Sequence, residues 1–166
     1  MAAGVTYEPI ATHTLSSGAT GFTFSSIPGT YTDLICKMSI KNLATGSIDL
    51  YLNQDGSRLY SRLVLYSTTT TIGSIQYNAQ YSAYITGNAN PSTTEFCQYE
   101  FSINSYANTT NQKVVQSKSW VRNQGTDMSV NNYESNAAIT SILIHNSAAQ
   151  NFVAGSTFTL YGITKA

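Results

Sequence analysis

Apolar residues in this chain recur at every second position, and the i, i+3, i+4, i+7 spacing of a core-facing helix is missing. The clearest run is Leu34-Ile35-Cys36-Lys37-Met38-Ser39-Ile40-Lys41. Side chains alternate between the two faces of a strand, so Leu34, Cys36, Met38 and Ile40 face a core while Lys37, Ser39 and Lys41 face water. Ile48, Leu50 and Leu52 repeat the pattern, and the turn-rich loop 42–47 between the two runs predicts an antiparallel pair. Further strands are expected over 21–24, 58–66, 80–86, 95–104, 113–122, 127–133, 139–145 and 157–163. Segment 58–66 is apolar on both faces (Leu59, Leu63 and Leu65 on one, Tyr60, Val64 and Tyr66 on the other), which suits a central strand.

Ten short strands joined by loops rich in Gly, Asn, Ser, Thr and Pro predict an all-β fold, a two-sheet antiparallel β-sandwich of jelly-roll-like type. The expected core includes Phe24, Leu34, Met38, Ile40, Leu50, Leu52, Leu63, Phe101, Ile142 and Phe158. Residues 1–12 read as an N-terminal arm, in which Pro9 limits use as a central strand. Residues 13–166 read as a single domain. The run Thr68-Thr69-Thr70-Thr71-Ile72-Gly73 is expected to be a loop, as is 87–94.

Composition narrows the partners. Only 10% of residues are charged, eight basic and eight acidic, for a formal net charge of +0. A typical domain carries about 25%. With no excess of Lys or Arg to neutralise phosphates, no nucleic-acid partner is expected. No stretch reaches the roughly 18 apolar residues of a membrane helix, so no membrane partner is expected either. The opening Met1-Ala2-Ala3-Gly4-Val5 lacks the basic and apolar regions of a secretory signal.

Chemistry-bearing clusters are sparse. His13 and His145 lie far apart with no second ligand at i+2 to i+4, so no metal and no cofactor is expected. Cys36 and Cys97 read as small buried hydrophobes, reduced in a cytoplasmic setting. Asn53-Gln54-Asp55-Gly56-Ser57 superficially resembles a calcium loop but lacks the further acids and distal Glu, and is read as a hairpin turn. No G-x-S-x-G elbow or phosphate-binding glycine loop occurs. Glu95 and Glu100, five apart on one strand, point to opposite faces and cannot act as a carboxylate pair. The chain is therefore expected not to be an enzyme.

What remains is surface. The chain carries 12 Tyr, residues that give large amphipathic contact area at low entropic cost. Tyr77, Tyr81 and Tyr84 cluster in a stretch poor in aliphatic residues and are the first interface candidates. Val5, Tyr7 and Ile10 of the arm are the second, docking against a neighbour.

Two stretches resemble a known group: Phe22-Thr23-Phe24-Ser25-Ser26-Ile27-Pro28-Gly29-Thr30-Tyr31-Thr32-Asp33-Leu34, and Ala154-Gly155-Ser156-Thr157-Phe158-Thr159-Leu160-Tyr161-Gly162-Ile163. With Tyr7-Glu8-Pro9-Ile10-Ala11 and Asn136-Ala137-Ala138-Ile139-Thr140-Ser141-Ile142, they are similar to small β-sandwich virion structural proteins of tailed bacteriophages. The resemblance covers about a third of the chain, mostly its two ends, and carries no catalytic residues.

The resemblance implies a protein made in the host cytoplasm and carried on the particle surface. The first expectation is a capsid decoration or cement protein, complete in itself, bound to the major capsid protein or other virion proteins. The alternative is a tail-fibre or receptor-binding module recognising host surface glycans. A near-neutral domain with surplus Tyr is expected to form a homo-oligomer, a trimer by preference, closing its interface cyclically.

Overall fold

The computed structural model describes residues 6–87 and 92–164. They form twelve strands: β1 (Tyr7–Thr14), β2 (Gly21–Phe24), β3 (Asp33–Ile40), β4 (Ile48–Leu52), β5 (Tyr60–Ser67), β6 (Ile72–Gln80), β7 (Ala83–Thr86), β8 (Cys97–Asn104), β9 (Lys113–Val121), β10 (Gly125–Tyr133), β11 (Ile142–Asn146) and β12 (Thr157–Ile163). No helix occurs among the described residues. The strands make two antiparallel sheets, one in the order β1-β12-β3-β8-β9-β10-β5-β6 and one in the order β2-β11-β4-β7.

That order is a jelly roll with additions. Setting aside the β5–β6 and β9–β10 hairpins leaves eight strands in nested pairs: β1 with β12, β2 with β11, β3 with β8 and β4 with β7. Four fall in each sheet, the arrangement of two Greek keys. The two hairpins then extend only the first sheet, beyond β8, to eight strands.

Between the sheets lies the core predicted from alternation. Phe24, Leu34, Met38, Ile40, Leu50, Leu52, Phe101, Ile142 and Phe158 are all buried. Leu63 is the exception: it points outward from β5, while Tyr60 and Val64 of the same strand point in. β5 is indeed an interior strand, between β10 and β6, but the sandwich covers only its inner face, where Tyr60 and Val64 point, and the face that carries Leu63 has no layer over it among the described residues. Both cysteines are buried and free, on adjacent strands, with Cys36 opposite Phe101 and Cys97 opposite Ile40.

Four further readings change. Segments 34–41 and 48–53 are not an antiparallel pair, because loop 42–47 carries the chain from one sheet to the other. Residues 7–12 are not a free arm but most of β1, an edge strand paired along β12. Pro9 is tolerated there because an edge strand has one unpaired side, and the register slips between Pro9 and Ala11. Ile72 begins strand β6, where a loop is expected from the threonine run. Residues 53–57 do form a turn, with Asn53 and Gln54 in the left-handed region, but it links the two sheets instead of closing a hairpin.

One seam of the interior is polar. β7 is an edge of the small sheet, so part of its backbone has no strand partner and faces the large sheet instead. Side chains of β9 and β10 fill that role. The Tyr84 carbonyl accepts from Ser129 Oγ (2.7 Å), Ser117 Oγ (3.1 Å) and Asn131 Nδ2 (3.2 Å). Asp127 Oδ2 accepts from Thr86 Oγ1 at 2.8 Å and from the Gly87 amide at 2.9 Å. Buried backbone groups need partners, and here serine, asparagine and aspartate supply them.

Candidate functional site

Serving β7 inverts the polarity of β10. Asp127, Ser129 and Asn131 are buried, and Met128 and Val130 are turned out to the surface. Side-chain period is two, so the inward polar set and the outward apolar set are one decision. β5 joins them from the next position: Leu65 lies opposite Met128 and Leu63 opposite Val130.

These four residues make the centre of an apolar patch on the outer face of the large sheet. Their exposures are 46% (Leu63), 52% (Leu65), 53% (Met128) and 48% (Val130). Trp120 on β9 and Ile72 on β6 stand at its corners, 62% and 89% exposed. Scattered surface hydrophobics are ordinary, but six on one sheet face are more than scatter, and apolar patches are the kind of surface through which proteins make contacts.

Register arranges the face in three cross-strand rows over β6, β5, β10 and β9. They read Ile72–Ser67–Thr126–Trp120, Ser74–Leu65–Met128–Lys118 and Gln76–Leu63–Val130–Gln116. The middle row continues through Glu100 on β8 to Lys37 on β3. Glu100 bridges the two lysines, at 2.9 Å from Lys118 Nζ and 3.9 Å from Lys37 Nζ. Such exposed pairs contribute about 0–1 kcal/mol each, so they shape charge on the face more than stability. A shallow furrow follows β9, with adjoining concavities of about 330 and 510 Å³, between the apolar quartet and Glu100.

The residues expected at an interface are placed differently. Tyr84 is buried at 6% exposure, its backbone in the polar seam, and cannot contact a partner. Its position on the β7 edge, invisible without topology, takes it inside. Tyr77 and Tyr81 remain exposed, but each lies under a guanidinium: Arg62 sits 4.8 Å from the Tyr77 ring centre and Arg58 sits 5.0 Å from that of Tyr81. Arg62 also covers the Tyr84 ring at 4.8 Å. Tyr7 is exposed at the β1 edge against Tyr161, whereas Ile10 is half-buried and packs on the core. Val5 lies outside the described residues. The structure therefore does not gather the five described residues into one surface.

Other chemistry is dispersed. His13 stacks on Phe22 with ring centres 4.2 Å apart, and His145 meets the edge of Tyr51. Among the described residues no three His, Cys, Asp or Glu side chains come together as a metal set. Asp55 is held below the usual carboxylate range by its hydrogen bonds to Ser57 and Tyr133, and desolvation with that carboxylate pushes the Tyr133 hydroxyl up to about 12. Asp55 lies in the turn that links β4 to β5, and Tyr133 ends β10 with its side chain on the buried face, opposite the patch. No family model and no curated protein matches this sequence.

Proposed function

We propose that this chain is a non-enzymatic structural subunit of a tailed-phage particle, a capsid decoration or cement protein that works by binding other virion proteins. One observation carries the reading: the exposed apolar patch lies wholly on β5, β6, β9 and β10, the strands added to the eight of the jelly roll. The eight nested strands make the jelly roll; the added strands pack Tyr60, Val115, Val121 and Tyr133 inward against it and extend the outer face of the large sheet. They present that face with Leu, Met, Val and Trp outward. A sheet extended in this way is a platform for protein contact. The virion setting comes from the resemblance of the terminal segments, and localisation on the particle surface follows from it.

The test is copy number. Quantitative mass spectrometry of purified virions, referenced to the major capsid protein, should find this chain in hundreds of copies. Its absence from virions would sink the proposal.

One feature favours the alternative of a tail-borne receptor-binding module. Trp120 stands out from the sheet beside Gln98, Thr126 and Lys118, an aromatic plane with amide, hydroxyl and ammonium groups around it, as a saccharide ring requires. About a dozen copies per virion, together with binding to host glycans that Trp120→Ala removes, would favour that reading.

A further inference from the structure

We infer that the outer face of β6, β5, β10 and β9 is the contact between two copies of this chain, related by a two-fold axis running along the strands midway between β5 and β10. The inference rests on reading this face as a protein contact, and it names the partner as a second copy.

The three rows are symmetric. Each is a palindrome in polarity about the β5–β10 line. Ile72–Ser67–Thr126–Trp120 is apolar at both ends and polar in the middle. Ser74–Leu65–Met128–Lys118 and Gln76–Leu63–Val130–Gln116 are polar at both ends and apolar in the middle. A two-fold axis along that line lays β5 over the partner's β10 and β6 over the partner's β9, each row on itself. Leu63 then meets the partner's Val130, Leu65 the partner's Met128 and Ile72 the partner's Trp120. All six exposed apolar side chains of the patch gain apolar neighbours from one operation, which is the self-complementarity an isologous interface demands.

Charge and shape agree. Lys118 falls opposite the partner's Ser74, so no like charges are brought together, and Glu100 and Lys37, on β8 and β3, lie outside the overlap, with Glu100 still paired to Lys118. The furrow along β9 receives the partner's edge strand β6. Four strands spaced ~4.8 Å apart and ~26 Å long give roughly 500 Å² of face per copy, before side-chain relief is counted. Two copies bury about 1,000 Å², the lower bound for a specific interface, so the dimer is weak and concentration-dependent. Of the six residues expected at an interface, Tyr84 is buried and takes no part in this contact.

Sedimentation velocity of the purified chain from about 1 to 200 µM tests this, because an interface of this size dissociates on the order of micromolar concentration. The expected result is a shift from the 18.0 kDa monomer to a species of twice that mass. Leu63→Glu and Val130→Lys should each hold the chain monomeric with an unchanged far-UV spectrum. Mixing the two variants should restore the dimer, because the axis sets one substituted position against the other. A wild-type monomer throughout, a trimer, or variants that dimerise like wild type would overturn the inference. If the wild type is monomeric and the same variants fail to bind virions, the face belongs to another virion protein; the inference falls while the proposed function stands.

Discussion

The Asn131 side-chain amide and the Tyr84 main chain bond twice across the sandwich. The Tyr84 N–H donates to Asn131 Oδ1 at 2.8 Å, and Asn131 Nδ2 donates to the Tyr84 carbonyl at 3.2 Å. The amide of Asn131 thus stands in for a neighbouring strand along the edge of β7. It holds the large sheet's extension against the small sheet by hydrogen bonds where the core elsewhere uses apolar contact.

This predicts an ordered loss of stability. Asn131→Ala strips the acceptor from the buried Tyr84 amide, and a stranded buried group costs about 1–3 kcal/mol. Ser117→Ala and Ser129→Ala should each cost less, because the Tyr84 carbonyl keeps other donors. In thermal unfolding, with ~2–4 °C per kcal/mol for a chain of this size, Asn131→Ala should melt lowest of the three. Equal melting temperatures would contradict the assigned role.

The seam also explains which parts of the fold could be read from the sequence. Where the interior is apolar, as along β3, β4 and β12, alternation alone identifies the buried face, and those core residues are buried as expected. On β10 the same rule gives the wrong face, since it would bury Met128 and Val130 and expose Ser129 and Asn131. On β5 both faces are apolar, and only the pairing with β10 decides that Leu63 and Leu65 go outward. The patch was therefore hidden by its own composition: its residues look like core. Tyr77, Tyr81 and Tyr84 were legible as a cluster, but Tyr84 lies on a strand whose edge position depends on the order of all twelve.

The turn joining β9 to β10 depends on one glycine. Gly125 has φ of +129°, in a region L side chains rarely adopt, and a Cβ there would run into the Ser67 carbonyl oxygen on β5. Gly125→Ala should destabilise the chain by about 1–3 kcal/mol through backbone strain and displacement of β5. Urea unfolding measures it; a midpoint unchanged from wild type would refute the assignment.

Stability should fall at both pH extremes around the Asp55–Tyr133 pair, whose hydrogen bond is 2.8 Å long. Asp55 has a lowered value, so its contribution is present above the unfolded-state value of about 3.9 and disappears as pH falls through the folded one. Tyr133 has a raised value, about 12 when folded. Its contribution is complete below the unfolded-state value of about 10 and is lost as pH climbs from there. Burial likewise raises Tyr60, which stacks on Tyr133 with ring centres 4.8 Å apart. Tyr133→Phe should flatten the alkaline limb of the melting temperature between about pH 10 and 12. An identical limb in the variant would rule the pair out as its source.

The thiols should be silent in the native chain. Cys36 is fully buried and Cys97 nearly so, and desolvation raises both thiols, so neither presents a thiolate to solvent. A bulky thiol reagent should label neither cysteine until denaturant is added, and then both. Fast labelling of one in the native state would show that its strand opens; since Cys97 begins β8, next to β9, that residue would be the one to react.

Trp120 offers the most direct view of the outer face, because it is the one tryptophan in the chain and is 62% exposed. Its emission reports β9 alone. In dilute solution acrylamide should quench it efficiently. As concentration rises into the range where two copies associate, the partner's Ile72 covers the indole, so quenching should weaken and emission shift to the blue. Leu63→Glu, three strands away from Trp120 when counted inclusively through β5, β10 and β9, should abolish that concentration dependence while leaving dilute quenching as it was. That separation matters: a local effect on Trp120 would change the dilute value, whereas loss of the dimer changes only the concentrated one.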